Sequence, residues 1–219
     1  MSSTALRDPL ASSLRLLELS LAMTDGFSTG GDLPSRVHKI LARFDKAGIR
    51  WMLVGAGAVN HYSGKPRTSQ DVDFLVDGPQ LPQAVAIVRS VLGPRAAQDV
   101  YETHVTLQAA RSPLIIDLIR SDQHPLFQEA LRRPRKRNGV RIPTVEALLA
   151  LKYLSAISPY RALADKRQDI LDFARILETN RGRVDVPRVI ELGALAHDRA
   201  RADLARLIDD VEHGRPITI

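Results

Sequence analysis

The spacing of apolar positions changes character along the chain. Val37, Ile40, Leu41 and Phe44 recur at helical spacing, and Gly48 stands where a C-terminal cap belongs, so this stretch predicts an amphipathic helix. Trp51-Met52-Leu53-Val54 is a short unbroken apolar run ahead of Gly55-Ala56-Gly57, the pattern of a buried strand entering a turn. Residues 58–63 predict a short helix, and Pro66 marks a loop. Val72-Asp73-Phe74-Leu75-Val76 predicts a second strand, and residues 81–92 a helix. Val105 and Leu107 alternate with polar neighbours, as in a half-buried strand, and Leu114-Ile115-Ile116-Asp117-Leu118-Ile119 predicts another.

From Pro143 onward the period is helical throughout. Pro143-Thr144-Val145-Glu146 resembles a helix start, followed by an apolar helix from Ala147 to Ile157. Residues 166–179, 187–197 and 199–212 predict three more. At the other end, Leu14, Leu16, Leu17, Leu19, Leu21 and Met23 suggest a short helix before a Gly/Ser/Thr-rich stretch. Strands with helices followed by helices alone predict an α+β fold: a mixed sheet flanked by helices, with a C-terminal helical bundle. The expected divisions are an accessory segment 1–33, a sheet domain 34–142 and a helical domain 143–219.

Composition narrows the chemistry. The 219 residues include no cysteine, which excludes disulfides and thiolate metal sites. No apolar run reaches the roughly 18 residues that span a bilayer. Leu14 to Met23 carries Glu18 and makes a poor signal peptide, so a cytoplasmic protein without a membrane partner is expected. The formal charge of +6 favours anionic partners, nucleotides or RNA among them.

The informative residues are acidic. Asp71 and Asp73 lie two apart on a strand and project from one face. Like charges about 4–6 Å apart repel by on the order of 3 kcal/mol at an effective dielectric near 20. A site that keeps both ionised therefore wants a cation, and magnesium, with oxygen ligands and retained waters, suits it. Asp117 interrupts an apolar strand, where an acid is costly unless paired or bound to metal. If the two strands are neighbours, Asp71, Asp73 and Asp117 converge as ligands for two magnesium ions about 3.5–4 Å apart. The turn at Gly55 and Ala56 exposes backbone N–H groups at a helix start, where an anion is favoured. Arg67 and Ser69 precede the acids and lie within reach of a bound triphosphate. A bare turn at Gly55 and Gly57, and surface acids, are the plainer readings. Gly55-x-Gly57-x-x-Asn60, with Asp77 downstream, approaches a dinucleotide fingerprint, but Asn60 replaces the third glycine and the repeated βα units are missing.

The pattern Gly55-Ala56, Ser69-x-Asp71-x-Asp73 and Asp117 resembles the minimal nucleotidyltransferase superfamily, the DNA polymerase β-like proteins. The segment from Pro143 to Lys152 and the motif Asp165-Lys166-Arg167-Gln168-Asp169 are similar to the helical part of the abortive-infection (AbiEii-like) nucleotidyltransferase toxins, so that the likeness covers roughly residues 35–180. This resemblance implies a nucleotidyltransferase-type sheet and transfer of an NMP from an NTP to an acceptor hydroxyl. It implies that Asp71, Asp73 and Asp117 bind metal, with Asp117 helping to deprotonate the acceptor. Gly55 and Ser69 would contact phosphates, Lys152 would neutralise triphosphate charge, Lys166 would assist, and Asp169 would orient a basic side chain. A toxin acting on tRNA or other RNA, with a cognate antitoxin, is the reading that follows. Ala56 stands where the family usually has a second Gly or a Ser. That departure leaves open a non-catalytic NTP-binding partner protein of the same fold, and a small-molecule (antibiotic) adenylyltransferase is a third alternative. Lys152 also reads as a snorkelling lysine at a core-helix edge, and Asp165 to Asp169 as a helix start with favourably placed acids.

One basic cluster, Arg132-Arg133-Pro134-Arg135-Lys136-Arg137, with Arg141 beyond it, reads as a solvated loop. Bordering the acids, it would instead hold the phosphates of an RNA acceptor, such as a tRNA end.

Overall fold

The computed structural model describes residues 33–64, 69, 71–110, 114–137 and 139–217. The helix expected around Leu14 to Met23, and Arg67, lie outside the described residues. In chain order the elements are α1 (Leu33–Lys46), β1 (Trp51–Leu53), α2 (Gly55–Ser63), β2 (Asp71–Val76), α3 (Leu81–Leu92), β3 (Ala97–Val100), β4 (His104–Gln108) and β5 (Ile115–Arg120). There follow α4 (Pro125–Arg132), β6 (Arg135–Arg137), β7 (Val140–Ile142), α5 (Val145–Ile157), α6 (Leu163–Thr179), α7 (Val186–Gly193) and α8 (Ala200–Glu212).

Five strands form one mixed sheet in the order β1-β2-β5-β4-β3. β2 and β5 run parallel, and the other pairs are antiparallel. Strand alternation sorts the residues cleanly. Trp51, Leu53, Val72, Phe74, Val76, Leu107, Ile116 and Leu118 share one face and are buried. That face packs with Val37, Ile40 and Phe44 of α1 and Ala84 and Val88 of α3 in the main core. Phe44, Trp51 and Phe74 meet there edge-on or tilted, with ring centroids 5.9–6.4 Å apart, a geometry that adds to burial.

The opposite face is divided. Met52, Leu75 and Ile119 are covered by Leu126, Ala130 and Leu131 of α4 and by Ala147, Ala150 and Leu151 of α5. Asp71, Asp73, Asp117 and Thr106 occupy the rest of it. The C-terminal helices thus seal one end of this face and leave the end with the acids as a site. Leu148, Leu149, Tyr153, Phe173 and Leu204 belong to the same core as the sheet, so the apolar interior is continuous across residue 142.

Local chemistry explains the helix limits. Thr144 caps α5, its hydroxyl accepting from the N–H of Ala147 at 3.2 Å. Gly48 closes the turn after α1 with φ 67°. Three elements go beyond the expectations from sequence. β3 is exposed along its length, an edge strand held only through β4, and so shows no alternation. α4 is a short helix begun by Pro125 and capped by the His124 ring, whose Nδ1 accepts from Leu126 N–H at 3.1 Å. The basic stretch read as a loop is a hairpin, β6 paired with β7. The Arg141 guanidinium anchors it, 2.5 Å from Asp45 and 5.0 Å from the Trp51 ring centroid. Among the described residues no helix is long and apolar enough to cross a membrane.

Candidate active site

The parallel pairing of β2 and β5 decides where the acids go. Asp73 stands directly opposite Asp117 in the register, and Asp71 opposite Ile115. Adjacent residues in register share a face, so the two strands bring Asp73 and Asp117 together, with Asp71 two residues along. On the far side of β5, Thr106 is in register with Asp117 and donates its hydroxyl to Asp117 Oδ1 at 2.6 Å. The sequence reading does not single out Thr106, although its signal is there: Val105 and Leu107 point to the core, so Thr106 between them must face the acids.

Gly55 closes the site from the side. The Val54 N–H donates to the Asp73 carbonyl at 2.9 Å, which ties the end of β1 to β2. Gly55 then opens α2 with φ 57°, and a Cβ there would coincide with the Asp73 carboxylate. Two requirements, a left-handed backbone and space for a carboxylate, therefore fix glycine at this position. Ala56 is buried, but its N–H, like those of Gly55 and Gly57, belongs to the first turn of α2 and has no intrahelical acceptor. Gly57 has a packing role, since a Cβ would stand 2.8 Å from Leu53 Cδ2. Ser69 braces the start of β2 by accepting from Asp71 N–H at 3.4 Å.

The electrostatics follow from crowding. Burial, then the charge of Asp117, then that of Asp71, push the Asp73 carboxyl up to about 6, against the pull of Lys152 and Arg161. Burial and then Asp117 also raise Asp71. Among the described residues no three carboxylate or imidazole groups already stand in metal-binding geometry. What the site does have is three carboxylates offering oxygen donors, with burial and crowding raising the Asp73 carboxyl furthest.

Lys152 lies in a buried cluster beside the acids. Its Nζ donates to Asp169 Oδ1 at 2.8 Å and to Asp172 Oδ2 at 2.9 Å, and Gln168 Nε2 donates to Asp172 Oδ1 at 2.9 Å. Arg161 Nε forms an ion pair with Asp169 Oδ2 at 3.1 Å. Asp169 thus meets two basic side chains. Arg161 and Asp172 lie beyond the sequence reading, because pairing between α5, α6 and the loop joining them leaves no mark on spacing within either helix. Lys166 is half-buried in the first turn of α6. Arg132, Arg133, Arg135, Lys136 and Arg137 are all exposed, Arg132 pairing with Glu129 at 3.2 Å. Arg135 and Arg137 act electrostatically on Tyr62, near the C-terminal end of α2. Gly55 opens that helix at its other end.

No protein-family model matches the chain, and no curated protein matches it in sequence. Solved structures do match. The antibiotic-resistance factor ANT(2'')-Ia, crystallised with adenylyl-2''-tobramycin, superposes with a TM-score of 0.53 at 18% identity, covering 75% of this chain and 97% of that one. Its solution structure gives 0.51 at 17% identity, over 82% and 96%. An antigenic nucleotidyltransferase-like protein from Paracoccidioides brasiliensis gives 0.47 at 15% identity, over 90% and 94%. The fold is that of the nucleotidyltransferases. Within this nucleotidyltransferase fold, the likeness to abortive-infection toxins rests on the sequence motifs alone.

The Gly55 geometry makes a prediction. Ala at φ near +57° costs about 1–2 kcal/mol, and its Cβ displaces the Asp73 carboxylate. Gly55→Ala is expected to lower the melting temperature by a few degrees and to remove any stabilisation by magnesium. A thermal melt with and without the ion reads both effects.

Proposed function

We propose that this chain transfers a nucleotidyl group from an NTP to an acceptor hydroxyl in a magnesium-dependent reaction. The observation that carries the reading is the register pair Asp73–Asp117 on parallel strands, with Asp73 packed against a glycine that opens a helix. The donor set fits magnesium: Asp71, Asp73 and Asp117 offer only oxygens, and their mutual repulsion is relieved by a hard divalent cation. These three side chains would hold it. When bound, the ion supplies positive charge for the triphosphate and for the developing oxyanions. The chain's own groups do the rest. The first-turn N–H groups of α2 would donate to phosphate oxygens. Thr106 fixes the orientation of the Asp117 carboxylate, the group that would receive the proton of the acceptor hydroxyl.

For the acceptor, RNA, with tRNA first, is the reading that the abortive-infection resemblance and the net charge of +6 favour. The exposed Arg132, Arg133, Arg135, Lys136 and Arg137 would then contact the phosphates of a long polyanion. A cognate antitoxin belongs to the same reading. A small-molecule acceptor is the second reading, favoured by the superposition over nearly the whole length of ANT(2'')-Ia.

The experiment offers the protein each of four α-labelled NTPs with magnesium, together with tRNA, total RNA or tobramycin. Label entering RNA, and lost when Arg135, Lys136 and Arg137 are changed to Glu, supports the first acceptor. Label entering tobramycin alone supports the second. Nucleotide binding without pyrophosphate release contradicts the catalytic reading and leaves a binding protein.

A further inference from the structure

We infer that Arg161, and not Lys152, is the side chain that grips the triphosphate of the donor nucleotide, while Lys152 with Asp169 and Asp172 forms the buried base that positions it. The inference rests on the proposed nucleotidyl transfer and names the cation of that same site.

Lys152 is already spent. Its side chain is only 9% exposed, and its ammonium sits between two carboxylates at 2.8 and 2.9 Å. Asp172 is fully buried behind it. An ammonium facing two carboxylates carries no surplus charge outward, and an incoming phosphate would have to draw it away from both. That exchange leaves two buried carboxylates short of their shared cation, a strongly unfavourable outcome.

Arg161 has the opposite character. It stands in the loop between α5 and α6, 44% exposed, with Nε 3.1 Å from Asp169 Oδ2. The contact is an ion pair without hydrogen-bond alignment, since Asp169 Oδ2 is buried and accepts no hydrogen bond. Among the described residues the two terminal nitrogens of Arg161 donate no hydrogen bond. The Nε edge of the guanidinium is thus held by the charge of a buried carboxylate, and the N–H groups of the rest are available to an anion. A planar fork held on one side is the geometry that recognises phosphate oxygens in pairs. Its charge, like that of Lys152, acts on the Asp73 carboxylate, so the whole cluster stands beside the acids. Asp169 therefore serves both cations: it holds Lys152 on one oxygen and attracts Arg161 with the other.

The test measures binding of magnesium tripolyphosphate to the full-length protein by calorimetry, so that neither the base nor the acceptor matters. Arg161→Gln is expected to weaken binding about 10- to 100-fold, the loss of one or two charge-assisted hydrogen bonds. Its melting temperature should stay close to that of the parent, because the residue is exposed. Arg161→Lys should recover part of the affinity, which a purely structural role would not do. Asp73→Asn serves as the control that removes a proposed metal ligand. If Arg161→Gln binds tripolyphosphate as the parent does while Asp73→Asn does not, the assignment of Arg161 is overturned and the transferase reading stands. If the parent protein binds no tripolyphosphate with magnesium, both are overturned.

Discussion

Asp73→Asn melts at a higher temperature than the parent protein at neutral pH without divalent cations, and it transfers no nucleotide. The two halves of this expected result have one cause. Burial and the neighbouring carboxylates raise the Asp73 carboxyl from its ordinary 3.8 to about 6. A folded-state value above the unfolded one means that the native state prefers the protonated acid. Below about pH 4 both states are protonated and the fold is not penalised. Between about 4 and 6 the unfolded chain ionises first, and stability falls as pH rises. Above about 6 the penalty is complete, on the order of 3 kcal/mol for a shift of about two units, less whatever the neighbouring acids absorb. Asparagine removes that penalty with the same shape. For a domain of this size, 1 kcal/mol moves the melting temperature by about 2–4 °C, so a gain of several degrees at pH 7.5 is expected, vanishing near pH 4. Magnesium should stabilise the parent and leave the variant unchanged. A lower melting temperature for the variant at pH 7.5 would show that the carboxylate is a structural anchor instead of a strained ligand.

Lys152→Met acts in the opposite direction. The substitution fits the volume and removes the ammonium shared by Asp169 and Asp172, both buried. Breaking a buried pair from one side costs about 3–5 kcal/mol, one of the larger losses a single change can cause in this fold. The melting temperature should fall by roughly 6–20 °C at about 2–4 °C per kcal/mol. Adding Asp169→Asn and Asp172→Asn to the same chain should restore much of the loss, since the uncompensated charge and not the missing contact is what destabilises. A single variant that melts like the parent would mean that Lys152 is a snorkelling surface lysine, the plainer of its readings from sequence. Thermal melts of the single and triple variants, at one pH and salt, decide between the two.

The sheet is legible in the sequence wherever one face is buried. Val72, Phe74 and Val76 alternate with Asp71, Asp73 and Leu75, and that alternation alone places the two acids on a common face. Asp117 is conspicuous because it stands between Ile116 and Leu118, both of which β5 carries into the core. What alternation could not supply is the neighbour relation of β2 and β5, separated in sequence by α3, β3 and β4. β3 is invisible since neither of its faces is buried. The hairpin is hidden by its own charge: Asn138-Gly139 is a strong turn signal, but Arg135, Lys136 and Arg137 offer no apolar alternation before it. For the cluster around Lys152, the motif Asp165 to Asp169 indicates that Asp169 would orient a basic side chain, and the structure places it beside both Lys152 and Arg161. Asp172 lies one helical turn beyond that motif, and Arg161 precedes the helix, so each gains its meaning only when α5 and α6 are packed together.

The most direct test of the account is pyrophosphate release and label transfer from an α-labelled NTP with magnesium, comparing the parent protein with Asp73→Asn at pH 7.5 after both have been shown to be folded. The expected result is release and transfer by the parent, dependent on the ion, and none by a variant that is the more stable of the two. Equal release by both proteins would contradict it, because a more stable chain without Asp73 would then be doing chemistry that the paired acids of β2 and β5 are held to perform.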